Sequence, residues 1–213
     1  MRFIKNRLVL TAAGALWLLI IGAGVGLLWN YESTPGTAAA TPDRWPAASR
    51  IEPAADRATL VMLAHPHCPC TRASINELAR LMTQARGRVT AYVLFVKPRG
   101  FSDAWVQTDL WESAAAIPGV TPVLDDDGDE AGRFHAATSG QTVLYDAAGH
   151  LLFSGGITSA RGHAGDNAGR TAIVSLLTSD EAEERDTPVY GCPLFAQDEC
   201  PMGKEVGREK DNH

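Results

Sequence analysis

The sequence predicts one α/β domain with a mixed central sheet, preceded by a single N-terminal transmembrane helix. Three observations predict it. An uncharged run of 22 residues, Leu8–Trp29, lies near the start of the chain. Continuous apolar runs alternate with helix-period segments between residues 55 and 178. That block ends with two short apolar runs around a turn, the pattern of a hairpin, and then one more helical segment.

The N-terminal run comes first. About 20 apolar residues cross a bilayer as a helix, whereas signal-peptide cores run to roughly 7–15. Leu8–Trp29 is therefore read as an uncleaved anchor in the cytoplasmic membrane. Ala38-Ala-Ala40, which resembles a cleavage site, lies well beyond it. Arg2, Lys5 and Arg7 precede the span and Glu32 follows it. The positive-inside rule then leaves the N-terminus in the cytoplasm and everything after about residue 31 outside, in the periplasm or on the outer face. All four cysteines fall on that side, where disulfides persist.

Beyond the anchor the chain carries 16 Lys and Arg against 25 Asp and Glu. Such an acidic surface repels phosphate backbones and excludes nucleic acid as a partner. Residues 1–30 are thus the anchor and 31–54 a Pro/Ala-rich linker without an apolar face. Residues 55–178 are the folded domain, and 179–213 an acidic, Cys-containing tail expected to be largely irregular.

Within the domain, Thr59-Leu-Val-Met-Leu-Ala64 reads as a buried strand. A helix follows over about 71–85, with Ile75, Leu78, Leu81 and Met82 at helical spacing. Val89–Val96 is a second continuous apolar strand, which suits a sheet covered on both faces. Ser102 or Asp103 caps a helix over about 103–115. Val120–Leu124 is a short strand, and Asp129–Ala137 a short helix with acids at its N-terminus. Gln141–Tyr145 and His150–Gly155 form the hairpin around Asp146-Ala-Ala-Gly149. A last helix begins near Asn167, with Ile173, Leu176 and Leu177 on one face. Strand, helix, strand at the start implies a right-handed parallel unit.

The chemistry concentrates in His65-Pro-His-Cys-Pro-Cys-Thr-Arg72, between the first strand and its helix. Cys68 falls just before the helix and Cys70 in its first turn. Free backbone N–H groups and the helix dipole stabilise negative charge there, and the thiolate is the reactive form of cysteine. This strand, thiol pair, helix and later hairpin, with Val123-Leu-Asp-Asp-Asp-Gly128, Phe134 and Thr142-Val-Leu-Tyr-Asp-Ala-Ala-Gly-His-Leu-Leu152, resembles the thioredoxin-like superfamily. Its membrane-anchored extracytoplasmic branch, with the peroxiredoxin-like, TlpA-like and RedB proteins, is the most similar part. The resemblance covers roughly residues 55–178 and implies a thioredoxin-like three-layer fold. It also implies thiol–disulfide oxidoreductase activity on extracytoplasmic protein thiols or disulfides, without a cofactor. Two departures stand out. The pair is Cys-x-Cys rather than Cys-x-x-Cys, and Gly140 or Gln141 stands where that family has a cis-proline.

Topology brings a second loop to the same end of the sheet, Arg161-Gly-His-Ala-Gly-Asp-Asn167. Arg161 is placed to stabilise a thiolate and His163 to shuttle its proton. The alternative is a glycine-rich loop whose Asp166 and Asn167 only cap the last helix. Cys68 is expected to attack, as the thiol at the more exposed edge of the turn. In the tail, Cys192 and Cys200 pair with each other, or one of them resolves a disulfide with Cys68 or Cys70 from a mobile arm.

Two further readings compete. His65, His67, Cys68 and Cys70 are closely spaced ligands of the kind that hold copper(I) or zinc, which gives a metal-delivery module as the alternative. The order Cys68, His163, Asn167 matches a thiol hydrolase only superficially, since the element order does not fit. Asp125-Asp-Asp-Gly-Asp-Glu130 lacks the glycine that should follow the third ligand of a calcium loop, and its closing Glu, and reads as solvated acids entering a helix.

Overall fold

A computed structural model describes residues 2–37, 40–179 and 181–195. The uncharged run lies within helix α1 (Arg2–Ser33), whose apolar side chains from Leu8 to Trp29 are almost all exposed. It is long and apolar enough to cross a membrane.

The domain follows in the order β1 (Ala58–Ala64), α2 (Pro69–Gln84), β2 (Val89–Lys97), α3 (Asp103–Val106), α4 (Asp109–Ala115), β3 (Val120–Asp126), α5 (Asp129–Arg133), β4 (Gln141–Tyr145), β5 (Leu151–Gly156), α6 (Ala168–Ser179) and β6 (Asp186–Thr187). The strands form one sheet in the order β3-β2-β1-β4-β5-β6. The pairs β3/β2, β2/β1 and β5/β6 are parallel, whereas β1/β4 and β4/β5 are antiparallel. The sheet is mixed, as predicted.

β1 explains why both faces are covered. Successive side chains of a strand point to opposite faces. Leu60 and Met62 join Ile75, Leu78, Leu81, Phe95 and Ile173 in one core. Val61 and Leu63 join Leu94, Phe134, Val143 and Tyr145 in the other.

Four details differ from the sequence reading. The helix expected over 103–115 is two, because Thr108 breaks it. Its Oγ1 accepts from Leu110 N (3.3 Å) to cap α4 and donates to Pro66 O (3.2 Å). The helix expected over 129–137 is shorter, ending at Arg133 before His135 turns to φ 52°. The stretch read as a linker is a strap on the domain. Trp45 packs edge-on against Phe134 (5.2 Å) and Tyr145 (5.3 Å), and Tyr145 OH donates to Pro42 O (2.9 Å). Ser49 Oγ donates to the buried Glu130 (2.6 Å). The start of the tail is ordered too, with β6 paired to β5 and Val189 and Leu194 buried. Lone anchors such as Trp45 leave no period in the sequence.

Candidate functional site: a three-thiol cluster at the start of α2

β1 ends at Ala64, and the loop His65–His67 turns the chain into α2. Pro69 takes the first helical position, where its missing N–H is not needed. That makes Cys68 the N-cap residue, at φ −86° and ψ 118°. Ser139, just ahead of β4, pins the turn from across the sheet. Its Oγ accepts from His65 N (2.9 Å) and bonds Thr71 Oγ1 (2.8 Å).

The tail completes the site. Ser139 N donates to Cys192 O (2.8 Å), Leu194 N donates to Ala137 O (2.9 Å), and Thr138 and Pro193 form an antiparallel bridge. Residues 192–194 therefore lie as a short strand along 137–139. Gly191 permits the approach, since a Cβ there would collide with the Ser139 carbonyl oxygen. The Arg161 guanidinium donates to Gly191 O from the other side. Its Nε reaches Thr34 O (3.3 Å), and the group lies over the Tyr31 ring (5.0 Å). One side chain thus links the end of α1 to the thiol-bearing tail.

The result is that Cys192 Sγ lies 3.1 Å from Cys68 Sγ. Cys68 is 1% exposed and Cys70 7%, while Cys192 is half-buried. The expectation that Cys68 sits at the exposed edge is corrected, because the tail covers it. The hydrogen bond with Cys192, then that with Cys70, holds the Cys68 thiol below the usual range. The bonds of Cys192 to Cys68, then to Cys70, push its thiol up. Cys70 is drawn down by Cys192 but raised more by its Cys68 contact, burial and the Cys68 charge, so it ends up raised. The three shifts favour ionisation at Cys68 and disfavour it at Cys70 and Cys192.

The other predicted residues divide. Arg161 reaches the cluster through Gly191, and its charge favours ionised Cys70. His163 points elsewhere, with Nε2 3.4 Å from Glu32 Oε2. Asn167 caps α6, its Oδ1 accepting from Arg170 N (2.7 Å). His67 Nε2 meets Trp105 O (2.9 Å) and its ring packs on Trp105 (4.4 Å), while His65 Nδ1 accepts from His67 N (3.1 Å). Burial lowers the pKa of His65. Among the described residues no three His, Cys, Asp or Glu side chains are grouped to hold a metal ion. Cys200 lies outside the described residues, so its proposed pairing with Cys192 does too.

Glu77 was missed by sequence reasoning. Fully buried in α2, it accepts from Gly165 N (2.8 Å) and Asn167 Nδ2 (3.2 Å) and pairs with Arg170 Nε (2.8 Å). It fixes the loop that carries Arg161. The only sequence signal was a lone acid on the face of α2 that carries Leu78 and Leu81.

No family model and no curated protein matches the chain. Solved structures do. A hypothetical protein from Sinorhizobium meliloti 1021 matches with a TM-score of 0.57 at 20% identity, covering 76% of this chain and 97% of that one. An uncharacterized conserved protein from Geobacillus kaustophilus matches with a TM-score of 0.55 at 20% identity, over 68% and 80%. The exposed lipoprotein thioredoxin Etrx1 from Streptococcus pneumoniae strain TIGR4 gives 0.38 at 15% identity, over 58% and 84%. The β1-α2-β2 unit with a cysteine capping α2, followed by the β4-β5 hairpin and α6 on one mixed sheet, decides the architecture. The fold is thioredoxin-like.

Against that thioredoxin-like frame the departures become concrete. No cis peptide occurs among the described residues, and Gly140 enters β4 at φ 91°, donating from its N–H to Leu63 O (2.7 Å). A third cysteine stands beside the pair.

Proposed function

We propose that the protein is a membrane-anchored thiol–disulfide redox protein whose domain works outside the cytoplasmic membrane. One observation carries this reading: the 3.1 Å contact of Cys68 with a second thiol at the N-terminus of a 16-residue helix. A thiolate held by neighbouring donors is a good nucleophile site and a good leaving group, and an adjacent thiol lets a disulfide close and open. The extracytoplasmic side is supported by Arg2, Lys5 and Arg7 ahead of the apolar run and Glu32 after it. Arg161 joins the end of α1 to Gly191, which supports thiol partners met close to the bilayer surface.

The test is a count of free thiols in the detergent-solubilised full chain across a glutathione redox buffer. Wild type should lose two thiols in one reversible transition that Cys68→Ser abolishes, while His65→Ala and His67→Ala change only its rate. Equal transitions in wild type and Cys68→Ser would refute the reading. Copper(I) uptake that protects the thiols, with no transition, would favour metal delivery instead.

A further inference from the structure

The geometry points to a Cys68–Cys192 disulfide as the oxidised form of this protein, opened by partner thiols at Cys192. The inference rests on the redox reading above and deepens it. Three observations carry it, and each concerns a different part of the site.

The first is where Cys70 stands. Cys68 caps α2 and Cys70 sits two residues on, separated by the helical Pro69. Their sulfurs interact, but a disulfide spanning only Pro69 closes a small ring far from ordinary disulfide geometry. Closing it would strain the first turn of α2. Cys192 needs no such distortion, because its sulfur is already 3.1 Å from Cys68 and a disulfide bond is about 2.05 Å.

The second is that Cys192 is built in rather than carried on a loose arm. Main-chain bonds hold 192–194 along 137–139, Arg161 holds Gly191, and Gly36 N donates to Val189 O (2.8 Å). Segment 137–139 offers its backbone as an added extended strand would use it, and the chain's own tail fills that place.

The third is access. Cys68 is 1% exposed and Cys192 is the half-buried member of the pair. A cleft of about 220 Å3 beside Pro66, His67, Pro69 and Arg72 also borders Cys68 but leaves it covered. An incoming thiolate therefore meets Cys192 first.

The exchange then balances. The partner's thiolate attacks Cys192 Sγ and forms a new S–S bond. The Cys68–Cys192 bond breaks, and its electron pair leaves on Cys68. The partner's second thiolate attacks its own first sulfur and expels Cys192. The partner dithiol has lost two electrons to the cysteine pair. Its two protons pass to the released thiolates or to solvent. Run backwards, the same steps reduce a partner disulfide.

The experiment uses the detergent-solubilised full chain with oxidised and reduced glutathione, followed by peptide mapping of every disulfide. Oxidised wild type and Cys70→Ser should both join the Cys68-bearing peptide to the Cys192-bearing one. In Cys68→Ser, glutathione should remain attached at Cys192. A Cys68–Cys70 or a Cys192–Cys200 bridge in wild type overturns the inference and leaves the redox reading standing. So does glutathione carried by Cys68 in Cys192→Ser with none on Cys192 in Cys68→Ser. A chain in which glutathione oxidises no pair at all removes the redox reading and this inference together.

Discussion

Replacing Glu77 by glutamine changes one charge at the point where α2 holds the Arg161 loop. The carboxylate is fully buried and has four partners: Gly165 N at 2.8 Å, Asn167 Nδ2 at 3.2 Å, Arg170 Nε at 2.8 Å and Arg80 NH1 at 3.2 Å. Arg170 is only 11% exposed, so it depends on Glu77, whereas the 55% exposed Arg80 contributes little. The Arg170 Nε contact is ionic and not an aligned hydrogen bond. In Glu77→Gln the single amide oxygen can still accept from Gly165. The amide nitrogen then faces Asn167 Nδ2 and the Arg170 guanidinium, donor against donor. Losing one charged hydrogen bond and the partner of a mostly buried guanidinium costs about 3 kcal/mol. For a domain of this size that is a fall of roughly 10 °C in the unfolding midpoint. Thermal unfolding of the full chain followed by circular dichroism measures it. Oxidation of Cys68 and Cys192 should slow in the same variant, since the Arg161 loop loses its anchor. A midpoint within about 2 °C of wild type would refute the account of Glu77 as the group that holds the loop.

Three further predictions concern the strap, the thiolate and the clamp. Trp45→Ala removes an aromatic wedged against Phe134 and Tyr145 and should cost about 3 kcal/mol, with protease cleavage appearing in residues 40–57; an unchanged midpoint would mean that the strap only rests on the domain. The Cys68 pKa is depressed, so the folded state holds fewer protons than the unfolded one below the ordinary thiol value of about 8.5. Its stabilising contribution is full above that value and is lost as pH falls through the depressed one. Thiolate ultraviolet absorbance should therefore already be present at neutral pH and shift toward ordinary titration in Cys192→Ala; a wild-type midpoint near the ordinary value would contradict the hydrogen-bond account. Arg161→Ala removes the charged donor to Gly191 O and should slow closure of the Cys68–Cys192 disulfide about tenfold, with partial recovery in Arg161→Lys; equal closure rates in wild type and Arg161→Ala would exclude a positioning role.

Much of this fold was legible because its signals are local. β1 and β2 announce themselves as continuous apolar runs, α2 by its Ile75–Leu78–Leu81–Met82 stripe, and the hairpin by two short runs around Asp146–Gly149. The thiol pair at the strand-to-helix junction is equally local. What the sequence hid depends on single contacts between distant residues. Trp45 and Ile51 dock the strap one at a time, with no period to read. Thr108 splits a continuous helical pattern because its hydroxyl also bonds Pro66, 42 residues away. The burial of Cys68 depends on a backbone bridge between Thr138 and Pro193, which no side-chain pattern encodes. His163 lies in the right loop but turns to Glu32, at the end of α1, a neighbour set by tertiary docking.

The two departures from the thioredoxin-like pattern are connected by the same geometry. With Pro69 as the only spacer, a disulfide between Cys68 and Cys70 would close a small strained ring at the start of α2. A partner sulfur for Cys68 that avoids this strain comes from another element. The loop ahead of β4 is where one can enter, because Ser139 already touches the thiol turn through His65 and Thr71. Glycine fills both sides of that crossing. Gly140 takes a positive φ and leaves room for Ser74, whose Oγ would lie 2.9 Å from a Cβ there, and Gly191 lets the tail pass over the Ser139 carbonyl. A proline at the entrance to β4 would lack the N–H that Gly140 donates to Leu63 O. The single-residue spacer, the glycine ahead of β4 and the cysteine-bearing segment 192–194 thus meet at one place, and the two glycines there make room for the sulfur of Cys192.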